Sequence, residues 1–211
     1  MSQLHLPGQL GFDDLLASAD EQNRAREFER ETAHLPSAMD QAVPFFRSLL
    51  GQHHAAMMAG DAERVFELRE EARKLALRLN NGKPGIIADE NAPGCMLETL
   101  TAASLGEVPI WGQAGEFNIE AAGTRVRVVI DGVFGIGSSV SFWHGFAAHC
   151  VDANKPFISE TGYRSFLGLH AAPMAGMTPD AFVKAALETY KARELKGRLV
   201  AIDKKYRQRR D

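Results

Sequence analysis

The sequence predicts an α+β protein in which an N-terminal helical hairpin region packs on a small antiparallel β-sheet domain with C-terminal helices. Three observations carry this. Residues 61–79 repeat apolar side chains at steps of three and four, and residues 117–130 switch to the pattern of a β-hairpin. Between them stands Asn80-Asn81-Gly82-Lys83-Pro84-Gly85, a cluster of helix-stop and turn residues. The expected organisation is a helical region over 1–82, an α+β domain over 83–203 and a basic tail over 204–211.

Taken in order, Phe12 to Ala33 reads as a charged helix with a thin apolar face, Leu15, Leu16, Ala19 and Phe28. Residues 1–35 are therefore expected to form a flexible arm that orders against a partner. Pro44 to Ala59 carries Phe46, Leu49, Leu50, Ala56 and Met57 on one stripe, with Pro44 placed in the first turn. Asp61 to Leu79 is the clearest helix, with Val65, Leu68, Ala72, Leu75 and Leu79 on one face and Gly60-Asp61 as turn and N-cap. Its seam suits the chain's own helices, or a homodimer formed through helices 44–79.

After Gly85 the residues to Gly94 read as an acidic loop, and Val108 to Trp111 as a short apolar run. Phe117–Ala121 and Arg125–Ile130 form the hairpin, with Val126, Val128 and Ile130 on one face and Arg125, Arg127 and Val129 on the other. A glycine-rich turn, Asp131 to Gly137, leads to Ser138-Ser139 as the N-cap of a short helix from Val140 to about Cys150. Thr178-Pro179-Asp180 starts a helix that should run to Lys196 and stop at Gly197, followed by a short strand from Arg198 to Ile202.

The composition limits the function classes. With 45% hydrophobic and 24% charged residues the chain is globular rather than disordered, and a net charge of −3 gives no overall attraction for nucleic acid. The balance hides a split: Asp13 to Glu31 is acidic, whereas the tail carries Lys204, Lys205, Arg207, Arg209 and Arg210 beside Tyr206. Those five basic residues are the candidate nucleic-acid contacts. No run approaches a membrane span and no signal-peptide pattern opens the chain, so a cytoplasmic location without a membrane role is expected. Cys95 and Cys150 form no CxxC pattern and read as reduced thiols.

Chemistry concentrates in KPFISETGYRSFLG, residues 155–168, where Ser159, Glu160, Thr161, Tyr163, Arg164 and Ser165 are clamped between Phe157-Ile158 and Phe166-Leu167. These six are the candidate ligand-binding residues. Arg164 suits a carboxylate or phosphate, and the hydroxyls offer further hydrogen bonds. A purely structural reading competes with this: a short helix capped by Ser159 with an internal Glu160–Arg164 pair. The catalytic candidates are Glu160 as acid or base with His144 or His149. His53-His54 is a sequential pair whose members point to different faces. The glycine turn would cradle an anion or simply turn the chain. No spacing of His, Cys or carboxylates matches a zinc site, and no cofactor motif is present, so neither metal nor cofactor is expected.

The segments LREEARKLALRLNNGKPGIIADENAPGC, VPIWGQAGEFNIE, DGVFGIGSSVSFW and KPFISETGYRSFLG, with MTPDAFV and ELKGRL, resemble a family of uncharacterised proteins of proteobacterial plasmids and integrated mobile elements. The resemblance spans roughly residues 70–199 and implies a role in plasmid or phage biology, with no catalytic residue to carry over. Three functions follow as expectations. One is an accessory protein of a mobile element that binds nucleic acid, or a protein handling it, through residues 155–168 and the tail. The others are a small hydrolase using Glu160 with a nearby histidine, and a helical-hairpin dimerisation protein with no catalytic site.

Overall fold

A computed structural model describes residues 12–207. Its helices are α1 (Phe12–Thr32), α2 (Met39–Ala59), α3 (Ala62–Leu79), α4 (Pro93–Thr101), α5 (Ile136–Val140) and α6 (Pro179–Arg193). Four strands, β1 (Gly115–Ala121), β2 (Thr124–Ile130), β3 (Phe146–Cys150) and β4 (Tyr163–Phe166), pair antiparallel in the order β1-β2-β3-β4. The α+β class holds, and one buried cluster runs from Leu35 through the sheet to Ile202.

The helical hairpin forms where the spacing places it. Asp61 caps α3 by accepting from the Arg64 N–H at 3.1 Å, and Gly60 ends α2 at φ 73°, a left-handed turn natural to glycine. Val65, Leu68, Ala72 and Leu75 are buried inside the chain, so the α3 seam is taken up by its own neighbours. α2 starts at Met39, which puts Pro44 inside the helix rather than in its first turn. The carbonyl of Asp40, left without a donor by Pro44, lies on the exposed side, where water can serve it. α4 was not anticipated; Pro93 at its first position and buried Leu97 were its signals.

The β1–β2 hairpin turns through Ala122 (φ 55°) and Gly123 (φ 81°), which matches strand twist as primed turns do. Phe117, Val126, Val128, Ile130, Phe146, Ala148 and Phe166 line the inner face. α6 covers it through Phe182, Val183 and Leu187. Glu116, Arg127, His149 and Tyr163 share the outer face, where Arg127 bonds Glu116 at 2.8 Å.

The expected helix from Val140 to Cys150 is corrected. α5 ends at Val140, and Phe146–Cys150 is the central strand β3, paired with β2 on one side and β4 on the other. Gly145 breaks the helical run, and two flanking ladders outweigh local helix preference. Ser138 is no N-cap; its hydroxyl donates to the Gly132 carbonyl at 2.9 Å. The last strand reduces to a single bridge between Phe157 and Val200, and α6 stops at Arg193.

A buried arginine joins the helices to this half of the chain. Arg69 on α3 donates through Nη1 to the carbonyls of Ser138 (2.8 Å) and Ser141 (2.6 Å), and through Nη2 to that of Phe142 (2.7 Å). Its Nε donates to Nε2 of His53 on α2 at 3.1 Å. Arg69→Met should therefore leave three buried carbonyls unpaired and lower unfolding free energy by about 3–5 kcal/mol. Urea denaturation followed by Trp fluorescence checks this, and Arg69→Lys, which keeps a charged donor, should lose less.

Candidate functional site

The motif of residues 155–168 is a turn followed by a strand. Pro156 to Ile158 brings Phe157 and Ile158 into the core, and Gly162 (φ 73°) turns the chain into β4. A side chain at Gly162 would meet the Cys150 sulfur at 2.8 Å, so glycine is required twice over. The helical reading with a Glu160–Arg164 pair does not form. Arg164 sits in β4 opposite Ala148, with its guanidinium 4.7 Å from the Tyr190 ring of α6. Glu160 is exposed, and its backbone carbonyl accepts from the Asp203 N–H at 2.9 Å.

Ser159 and Thr161 have a defined task. The Ser159 hydroxyl donates to the Tyr163 carbonyl at 2.7 Å and lies 3.1 Å from the Tyr163 N–H, while Thr161 Oγ1 makes the equivalent pair at 2.9 and 3.3 Å. The Cys150 N–H donates to the Gly162 carbonyl at 2.8 Å, which sets the parity of the ladder. Gly162, Arg164 and Phe166 turn their backbone groups toward β3, whereas Tyr163 and Ser165 turn theirs outward. The two hydroxyls thus close the free edge of β4 at Tyr163. At Ser165 the edge is open, with no backbone partner among the described residues.

Beside that edge lies a groove of about 570 Å³ between β4 and α6. Its floor is Trp143, Phe166 and Phe182, one wall is the stripe Ala185, Ala186, Thr189 and Arg193, and Leu167 and Met174 stand half exposed at its rim. Arg164 and Arg193 have no carboxylate partner among the described residues. Trp143 is held by its indole N–H, which donates to the Ala171 carbonyl at 3.2 Å. The volume is that of an ordinary ligand or peptide-side-chain site.

The histidines fall elsewhere. His144 is buried, edge-on to His53 at 5.2 Å between ring centres, and its Nδ1 is 3.4 Å from Arg69 Nη2. Since arginine only donates, His53 carries its proton on Nδ1, toward the Trp111 carbonyl at 3.1 Å, and His144 carries its proton on Nε2, which has no partner among the described residues. Burial, then the Arg69 charge, pushes the His53 pKa down to about 3 and that of His144 well below its ordinary value. His149 lies on the outer sheet face, 5.0 Å from the Tyr163 ring. No hydrogen bond or ion pair joins Glu160 to either histidine among the described residues. His53 was legible as a member of the Phe46–Leu50–Met57 stripe; Arg69 is its neighbour on the facing stripe of α3.

A carboxyl group of the chain itself bonds to the backbone of the glycine turn. Glu98 of α4 accepts the Phe134 N–H at 3.0 Å. Burial raises its pKa, the Phe134 N–H pulls it back, and nearby Asp131 raises it further. In the tail, Lys205 Nζ is 3.8 Å from Asp203 and 4.8 Å from the Tyr206 ring centre, and Arg207 donates to the Ile202 carbonyl at 2.8 Å. Lys204 opens the 3-10 turn Lys204–Tyr206; Arg209 and Arg210 lie outside the described residues. No described helix is long and apolar enough to cross a membrane.

The sheet, the motif and all of α6 fall within one matched region. Residues 114–199 match the KlcB third domain. The chain is 34% identical over 179 residues to Protein KlcB of Escherichia coli, covering 84% of this chain and 42% of that protein. A second Protein KlcB of Escherichia coli is 40% identical over 104 residues, covering 49% of this chain and 21% of that protein. The chain spans less than half the length of these curated relatives. No solved structure matches. The match to the KlcB third domain lies inside the span of the resemblance read from the motifs, and it contains all of β4.

Two predictions follow from the geometry. With a folded pKa of about 3 against 6.5 unfolded, His53 takes its proton more readily in the unfolded chain. Its contribution is complete above pH 6.5 and is lost as pH falls toward 3, at about 1.4 kcal/mol per pH unit. Wild type should therefore lose that much more per unit than His53→Gln between pH 6 and about 4, by urea titration at each pH. Glu98 and Asp131, shifted upward, act with the opposite sign in both proteins and cancel in the difference. Second, the double variant Ser159→Ala, Thr161→Ala should lose about 1–2 kcal/mol by frayed edge bonding at Tyr163, with faster amide exchange there by NMR.

Proposed function

We propose that the chain is an accessory binding protein of a plasmid or other mobile element, which holds a partner protein that handles nucleic acid in the groove beside β4. One observation carries the reading: an open strand edge at Ser165 runs along a largely apolar groove whose rim holds the uncompensated Arg164. Interaction sites of proteins combine these features, an apolar floor with aromatic anchors and a few charges at the rim. The motif residues take part unequally. Arg164 and Ser165 line the groove, Ser159 and Thr161 hold the strand edge, Glu160 stands outside it, and Tyr163 lies on the outer face.

The hydrolase reading finds less support, because no hydrogen bond or ion pair joins Glu160 to a histidine among the described residues and His144 is buried against Arg69. Direct contact with nucleic acid through the tail is a weaker reading too: Lys205 and Arg207 are engaged locally and the overall charge is −3.

The test places a photo-crosslinking p-benzoylphenylalanine at Leu167 in cells carrying the element. A protein adduct identified by mass spectrometry should form, and it should vanish when Ala185→Trp fills the groove while circular dichroism is unchanged. Adducts to nucleic acid, or adducts indifferent to Ala185→Trp, overturn the proposal.

A further inference from the structure

Resting on the groove reading above, the geometry points to its occupant: we infer that an extended segment of a partner protein, carrying apolar and acidic side chains, adds beside β4 as a fifth strand. The backbone argument is parity. Arg164 and Phe166 spend their N–H and C=O groups on β3, so those of Ser165 point away from the sheet and have no backbone partner among the described residues. Leu167 continues the same alternation and is half exposed. Free edge groups of this kind are what strand addition uses.

The opposite edge shows the contrast. Outside β1, the Ala103 N–H donates to the Ala114 carbonyl at 3.0 Å and the Gly106 N–H to the Glu116 carbonyl at 2.9 Å. The chain itself thus serves that edge as far as Glu116; Asn118 and Glu120 turn the same way without a backbone partner among the described residues, but neither lines the groove beside β4. On β4 the serving groups stop at Tyr163, because Ser159 and Thr161 spend both hydroxyls there. The open stretch is thus short, it begins at Ser165, and it borders the groove.

Side chains set the rest of the specificity. A strand laid about 4.8 Å from β4 would direct every second side chain to the inner-face side, into the groove. There the wall of α6 is small, Ala185, Ala186 and Thr189, which leaves room for apolar groups over Phe166 and Trp143. Arg164 and Arg193 stand at the rim with His170, against one acid, Glu194. Charge complementarity therefore favours acidic residues. A second copy fits less well, because self-pairing centred on Ser165 would set two Arg164 side chains on one face about 7–8 Å apart.

Fluorescence anisotropy with labelled synthetic octapeptides tests this. The probes are an alternating Val-Glu peptide, its Val-Lys counterpart, and the Val-Glu peptide methylated on alternate backbone nitrogens. The acidic peptide should bind at least about tenfold tighter than the basic one, and Arg164→Glu should reverse the order. Ser165→Pro removes only the outward N–H, at an edge position that tolerates proline, and should weaken binding about tenfold. Equal binding of acidic and basic peptides, or of the methylated peptide, overturns the inference. So does a concentration-dependent dimer in sedimentation that Ser165→Pro abolishes, since the occupant would then be a second copy. Should these arms fail while the Leu167 crosslink to a partner is still lost in Ala185→Trp, the groove reading stands and strand addition alone falls.

Discussion

The fold depends on a buried positive charge that has no carboxylate partner among the described residues. Arg69 is 8% exposed, and its guanidinium is surrounded by three carbonyls and two imidazoles. Burying an ion costs several kcal/mol unless nearly every hydrogen bond is made, and here carbonyl dipoles replace a carboxylate. Burial draws the Arg69 pKa down to about 10, which still leaves the group charged at neutral pH. The consequence reaches the histidines. With a fixed cation between them, neither His53 nor His144 can accept a proton without placing like charges together in the interior. They are pieces of the scaffold, held neutral by burial first and by the charge of Arg69 second.

That same contact organises the sheet's inner layer. By gripping the carbonyls of Ser138, Ser141 and Phe142, Arg69 fixes the chain just before Trp143, and Trp143 stacks on Phe182 of α6 at 4.6 Å with planes 13° apart. α6 is thereby seated over β1, and Lys191 ties its far end to the hairpin by donating to the Ala122 carbonyl at 2.8 Å. A helix so placed covers the β1 side of the sheet more fully than the β4 side. The groove is the uncovered remainder, and its floor is the aromatic stack that holds α6 in place.

Legibility in the sequence followed the range of the interactions. α3, the β1–β2 hairpin and the start of α6 depend on contacts a few residues apart, and their capping, turn and periodic residues declare them. β3 was read as a helix because Phe146-Ala147-Ala148-His149-Cys150 has no alternation of its own; both of its ladders come from distant strands. Arg69 is illegible for the same reason, since all but one of its carbonyl and imidazole partners lie about seventy residues away. The motif of residues 155–168 stood out correctly as an unusual cluster, yet composition alone could not divide its polar groups among strand edge, groove and solvent.

That division explains why so many polar residues stand together. A β4 strand with a fully open edge would be a site for indiscriminate pairing, the hazard that natural sheets block by short strands and local caps. Ser159 and Thr161 supply such a cap, and two hydroxyls on one residue's N–H and C=O are more than satisfying a lone exposed backbone pair requires, because water can also reach it. Their value lies in position. They end the available edge at Tyr163, so pairing can begin only at Ser165, where a pairing chain must also meet Arg164 and the apolar floor. A cap that merely protected the strand would extend along it; one that stops where the groove begins restricts who may pair there. Register and charge are then selected together, by four consecutive residues of one short strand.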